Sequence, residues 1–461
     1  MLFSKKINTC LKSRTVYFLL IAFVGIALMT VLSVSAGENT NETKYTYDDW
    51  DEPDYCGSCH NDIYQQWKQS MMSQSYTHHW DEIEYFKLAV PHAEKDEIVA
   101  EVKAGCNGCH TPMSFLVDDI PPPRPEENSR ANDGVHCDFC HTITGFDGDV
   151  PFNFNYVIAP GETKNGPRDN PESPAHETFK SDFLASSEFC GICHNEKDPY
   201  GVWVKSTHLE WKESPYSAMG VSCHDCHMTN AKSITAVDGK EYEDARQHLF
   251  HGAHDIGKIR GVVELRIHPD VNEIEQGESV KFTVALFNQK AGHKFPTGSV
   301  EDRILWLHVE AIDAAGKTYH IPVDKKGFEG EEYTISTDVL AYQDMSIALN
   351  DPSFKGVQRD GVPIGDRIFR MPYFDPQGRM TIQQWNTKSL GVDYRLKPLG
   401  TILETFSLKL PDDIEPGQMK ITATLNYQLL VKPVADFLGV PDEESSIMEV
   451  NVHSTFVEVL P

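Results

Sequence analysis

The pattern Cys-x-x-Cys-His occurs five times between residues 56 and 227 and uses every cysteine beyond residue 36. The copies span 56–60, 106–110, 137–141, 190–194 and 223–227. Two thiols three residues apart can each form a thioether with one vinyl group of a porphyrin, and the adjacent histidine then reaches the iron. Zinc sites and redox disulfides also use Cys-x-x-Cys, but neither needs a histidine directly after the second cysteine. All five copies carry it. The sequence therefore implies five covalently bound haem c groups. Cys56, Cys59, Cys106, Cys109, Cys137, Cys140, Cys190, Cys193, Cys223 and Cys226 would attach them. His60, His110, His141, His194 and His227 would be the proximal iron ligands.

Residues 1–36 read as a targeting segment. Lys5, Lys6, Lys12 and Arg14 precede an apolar stretch from Val16 to Leu32, and Val34-Ser35-Ala36 offers small residues for cleavage. The stretch is long for a signal peptide and short for a spanning helix. It is expected to be cleaved, or otherwise to stay as a single anchor. Either way the remainder lies outside the cytoplasm, in the periplasm or on the outer face of the cell. Contact with a membrane is expected only if the segment is uncleaved. The net charge of the whole chain is −28, and it becomes −32 without the four basic residues of this segment. Such a surface repels nucleic acid and steers toward redox partner proteins of basic character. An oligomer stays open.

The expected fold class is multidomain α+β: a mostly helical, loop-rich pentahaem domain over 37–257, then an all-β immunoglobulin-like sandwich over 258–461. Helices are expected over 64–76, 82–89 and 97–103, and a loop over 147–175. Beyond residue 258 there is no cysteine, and period-two alternation takes over. Val280, Phe282, Val284 and Leu286 alternate with polar residues, as do Met419, Ile421, Ala423, Leu425 and Tyr427. About seven strands result, which suits a sandwich. Residues 324–400 read as an irregular insertion that packs on the haem domain.

Successive first cysteines lie 50, 31, 53 and 33 residues apart, and local echoes suggest a duplication. Cys56-Gly57-Ser58-Cys59-His60-Asn61 recurs as Cys190-Gly191-Ile192-Cys193-His194-Asn195. Trp67-Lys68 recurs as Trp211-Lys212, and Gly134-Val135 before Cys137 recurs as Gly220-Val221 before Cys223. The repeated unit is read as a haem pair, with one further motif inserted.

Each iron's sixth position decides its chemistry: histidine gives a low-potential carrier, methionine raises the potential, and an open site admits ligands. The distal candidates are His79, His136, His208, His251, His254, His293 and Met72. His136 adjoins a haem cysteine, and His208 lies between two motifs. His248, His251 and His254 recur every three residues, as on one face of a helical turn. His293 lies in a turn between two sandwich strands. His224, inside the fifth motif, is expected to face solvent.

On these residues the chain resembles the cytochrome c-554/c-552 family, relatives of hydroxylamine oxidoreductase. The residues that carry the likeness are the opening Cys-Gly-Ser-Cys-His with Trp67-Lys68, the plain second motif, and the Gly-Val-x-Cys-x-x-Cys-His of residues 134–141. The likeness covers about residues 54–230. It implies a helical domain of closely packed haems with mostly bis-histidine ligation. It also implies one iron without a sixth ligand, that of His110 being the candidate. Three departures stand out. Met72 occupies the position where the family has a histidine, a fifth motif is added, and a β domain follows.

Electron transfer between redox partners is the expected function, rather than catalysis. The alternatives are an oxidoreductase acting on a small nitrogen or sulfur compound at an open haem, and a filament-forming cytochrome. No motif carries lysine in place of histidine, which argues against the first alternative.

Overall fold

Cysteines at i and i+3 and a histidine at i+4 share one face of a helix, and short helices carry four of the motifs and the start of the first. In the computed structural model, which describes residues 44–169, 172–324 and 359–461, these are Pro53–Gly57, Val102–His110, Cys137–Thr142, Ser187–His194 and Cys223–His227. Local chemistry starts them. Pro53 opens the first, and the Ser222 amide donates to Asp225 Oδ2 at 2.8 Å in a capping box before the fifth. The targeting segment over 1–36 and the stretch 325–358 of the expected insertion lie outside the described residues.

Helix boundaries differ from the sequence expectation. The helix expected over 64–76 is Asn61–Lys68, followed by turns. The one expected over 82–89 is His79–Glu84 running into a π-helical turn, Tyr85–Ala89. The expected 97–103 segment is a 3-10 turn, Glu97–Val99, before the helix of the second motif. Residues 248–254 form no helix, so their period of three does not put three histidines on one face.

The duplication is visible in matching contacts. Trp67 Nε1 donates to the Val135 carbonyl at 2.9 Å, and Trp211 Nε1 donates to the Val221 carbonyl at 2.8 Å. Each valine follows a glycine with positive φ, +58° at Gly134 and +75° at Gly220. The Cys56 and Cys137 thiols adjoin, and so do those of Cys190 and Cys223. The first and third motifs thus repeat as the fourth and fifth, and the second motif is the inserted one.

Alternation puts one face of each long C-terminal strand into a core. A six-stranded sheet runs in the order Glu273–Glu275, Ile447–Leu460, Gly417–Gln428, Ile304–Ile312 and Thr318–His320. Its sixth strand, Arg367–Phe369, also pairs with Ile304–Ile312. The facing sheet is Thr401–Lys409, Ser279–Asn288 and Val263–Pro269. Val280, Val284, Leu286, Met419, Ile421, Ala423 and Leu425 are fully buried between them.

Residues 44–461 form one compact unit. Trp80, Tyr85, Leu88, Val99 and Val102 of the haem-motif region join the same apolar cluster as the sandwich strands. The described part of the insertion also packs on the haem-motif region, where Val204, Val300, Met371 and Tyr373 cluster and the Tyr373 hydroxyl donates to the Val204 carbonyl.

Candidate haem-binding site

One continuous cavity of about 2300 Å³ runs through the motif region and is lined by all ten motif cysteines and all five motif histidines. A single small-ligand pocket is typically about 300–1,000 Å³, so this volume suits several large groups rather than one. Among the described residues no disulfide forms between the cysteines. Burial pushes the Cys106 and Cys140 thiols up to about 12, the behaviour of an apolar setting.

Three motif histidines stand opposite a second imidazole. Ring centroids of His60 and His176 are 6.3 Å apart, those of His141 and His248 6.4 Å, and those of His227 and His293 6.3 Å. The rings are inclined by 34°, 24° and 16°. Two imidazole nitrogens each about 2 Å from one metal, with ring centres roughly 1 Å behind them, give a separation of about 6 Å. The spacing is that of two histidines on one iron.

Hydrogen bonding sets the tautomer of all six rings. Nδ1 of His60 meets the Thr235 carbonyl at 2.6 Å, His141 that of Asn165 at 2.5 Å, and His227 that of His251 at 2.7 Å. Opposite them, Nδ1 of His176 meets the Glu177 carbonyl at 3.0 Å, His248 that of Arg246 at 3.0 Å, and His293 that of Lys294 at 2.9 Å. A carbonyl can only accept, so each Nδ1 carries the proton and each Nε2 keeps its lone pair. This is the usual outer bond of a metal-bound histidine. Burial pushes His227 and His248 down to about 4 and also lowers His141 and His293. They are therefore neutral at pH 7, the form that binds metal.

His110 and His194 differ. His110 Nδ1 donates to the Ser75 carbonyl at 2.8 Å, and burial pushes His194 down to about 4. Among the described residues, no second imidazole stands at the same spacing from either. Their motifs adjoin, with the Cys109 thiol beside that of Cys193. A buried polar cluster surrounds them. Lys205 Nζ pairs with Glu196 Oε2 at 2.9 Å, and the charges of Lys205 and Glu196 act on Cys106 and Cys109. Glu84 and Glu301 belong to the same cluster, as does Asp302.

Burial, followed by the charges of Glu301 and Asp81, pushes the Glu84 carboxyl up to about 8. Burial holds Glu301 at about 7, against the pull of Lys205 and Arg303. Adding an electron nearby raises both affinities for a proton. The midpoint potential of the group at Cys106 and Cys109 therefore falls as pH rises through 7 to 8, by up to about 59 mV per unit for one proton per electron. Potentiometric titration at pH 6, 7 and 8 checks this, and Glu84→Gln flattens the slope.

Of the residues named from sequence, His293 faces His227. His208 packs over Gly191, as Tyr64 packs over Gly57 in the other repeat, and its Nδ1 meets Asn195 at 3.1 Å. His136 is fully buried with Nε2 2.9 Å from Met113 Sδ. Met72 and His254 line the cavity without an opposed motif ring, and His254 packs edge-on against His78. His79 and His251 do not line it. His79 lies 3.2 Å from Glu444, and His251 lies 3.1 Å from Asp255. His224, expected at the surface, is 9% exposed, because its helix packs against the fourth motif. Sequence reasoning passed over His176 entirely. It set His248 aside for its two neighbours.

Residues 55–142 match the family described as "Cytochrome c554 and c-prime". The chain is a multihaem c-type cytochrome resembling that family. A penta-heme cytochrome c552 from Thermochromatium tepidum shares its fold, with a TM-score of 0.61 and 20% identity over 89% of this chain and 99% of that one. The sporulation control protein Spo0M from Bacillus subtilis aligns with 43% of this chain and 49% of its own, at 10% identity and a TM-score of only 0.16. No curated protein sequence matches this cytochrome. Among its described residues, no helix is long and apolar enough to cross a membrane.

Proposed function

We propose that this cytochrome carries five haem c groups and transfers electrons between redox partners outside the cytoplasm. Bound haem c would supply one-electron iron chemistry whose potential is tuned by axial ligands. The protein's part is to orient ligands and exclude water. His60 with His176, His141 with His248, and His227 with His293 would hold three irons between paired imidazoles. The observation that carries this reading is the repeated separation of 6.3–6.4 Å with every Nδ1 turned to a carbonyl. Saturated irons favour carriage over catalysis, and the acidic surface suits basic partners.

A second reading rests on His110 and His194, which among the described residues have no opposed imidazole and sit beside buried carboxyl groups and Lys205. Those two irons are where a small nitrogen or sulfur compound would bind. Paramagnetic resonance of the oxidised protein is expected to show at least three low-spin bis-imidazole haems, and fewer than three would overturn the assignment. Carbon monoxide binding stoichiometrically to the ferrous protein would favour the second reading. No binding at any iron would remove it.

A further inference from the structure

A cluster of two histidines and a carboxylate, apart from the haem motifs, lies on the outer face of the six-stranded sheet. Strands Thr318–His320 and Arg367–Phe369 both pair with the same edge of Ile304–Ile312, the first beside residues 310–312 and the second beside 305–307. His308 falls at the junction. The register that sets Leu307 against Arg367 continues to set His308 against Asp366, and His320 lies opposite Glu310 on the same face.

Both Asp366 carboxylate oxygens lie 3.0 Å from His308 Nδ1, and Oδ1 lies 2.8 Å from His320 Nε2. The two imidazoles are parallel within 8°, with centroids 5.1 Å apart. The Asp366 carboxylate is wholly enclosed, whereas His308 and His320 are 29% and 38% exposed. A buried carboxylate therefore fixes one side of the cluster, and the other side opens to solvent. Separations of about 3 Å are those between neighbouring ligand atoms around an ion with bonds of about 2.0–2.2 Å. Two imidazoles with one carboxylate and free positions suit a divalent first-row transition ion. Alternating sheet geometry brings Glu310 to the same face as a further carboxylate, and its charge acts on His308.

We propose that His308, His320 and Asp366 form a solvent-accessible binding site for a divalent transition-metal ion such as Zn²⁺. The other cluster of two histidines and a carboxylate, His78, His79 and Glu444, is arranged differently. There His78 has both ring nitrogens engaged by acids, Asp81 at 3.4 Å and Glu444 at 3.2 Å, which describes an ion pair. In the sandwich site each histidine offers Asp366 a single nitrogen.

Zinc titration of the chelator-treated full-length holoprotein by calorimetry, with metal analysis against haem iron, tests the site. One Zn²⁺ per chain is expected. His320→Gln should weaken binding by at least ~10–100-fold, since losing a direct ligand costs no less than losing a supporting group at a zinc site. Because Asp366 is buried and its loss could unfold the sheet, the decisive variant is the double change His308→Gln with His320→Gln. An unchanged haem spectrum verifies its fold. Loss of stoichiometric binding in that variant supports the site. No stoichiometric binding to the parent protein, or unchanged affinity in the double variant, overturns it.

Discussion

Methionine in place of His248 is expected to raise the midpoint potential of the haem attached at Cys137 and Cys140 by on the order of 100–200 mV, a fraction of the ~0.8 V that axial ligation spans. A thioether is a weaker donor than imidazole and favours ferrous iron. The substitution also removes the Nδ1 bond to the Arg246 carbonyl, so nothing would orient the new ligand as His248 is oriented. Spectropotentiometric titration would show one haem moving while the others keep their potentials. His251→Met is the control, because His251 pairs with Asp255 and does not line the cavity. If His248→Met leaves every potential in place, His248 is not a ligand. The same experiment at His176 or His293 should move a different haem each time.

Arginine 395 ties the sandwich to the haem-motif region, and its replacement by alanine is expected to cost about 3–5 kcal/mol, the usual penalty for stranding a buried ionic partner. Arg395 Nη1 meets Glu210 Oε1 at 2.8 Å, with both side chains 4% exposed or less. Its Nε meets Asp393 Oδ1 at 2.8 Å, and the Thr297 hydroxyl donates to Glu210 Oε2 at 2.7 Å. Removing the guanidinium leaves the Glu210 carboxylate enclosed with only hydroxyl donors. The site adjoins the loop that presents His293, so the variant should also loosen the ligation of the His227 haem. Denaturant unfolding measures the loss, and a change below about 0.5 kcal/mol, typical of an exposed site, would show that the network is not needed. Glu210→Gln with Arg395→Met should recover part of the cost, since a buried pair replaced together is far less damaging than one broken.

The haem c motifs were legible because they are local: five residues in a row specify each one. Strands were legible for the same reason. The alternation through 279–288 and 417–428 depends only on which face is buried. The duplication could also be read, since the echoes at Trp67 and Trp211 mark equal hydrogen bonds. Distal ligands follow no such rule. His60 meets a residue more than a hundred positions away, in a segment whose sequence resembles a covering loop. The period of three at 248–254 pointed to a helix, but the chain there is irregular, and of the three imidazoles only that of His248 faces a motif ring. His208 lies between motifs and lines the cavity, and it stands where the other repeat has Tyr64, an equivalence that an alignment of the two repeats shows without coordinates.

The thiol contacts make the fourth motif a junction. Cys193 touches Cys109 of the second motif, Cys190 touches Cys223 of the fifth, and the Cys140 thiol of the third acts on Cys190. With the Cys56–Cys137 contact, four links join five sites. The two cysteines of the fourth motif thus touch three other motifs, more than those of any other motif among these contacts. Electrons reaching a haem there from one neighbour would have two further exits. Two single-electron donors could then feed separate branches while one acceptor drains the third. Losing the haem at Cys190 and Cys193 would leave the others attached and reducible, yet remove the neighbour they share.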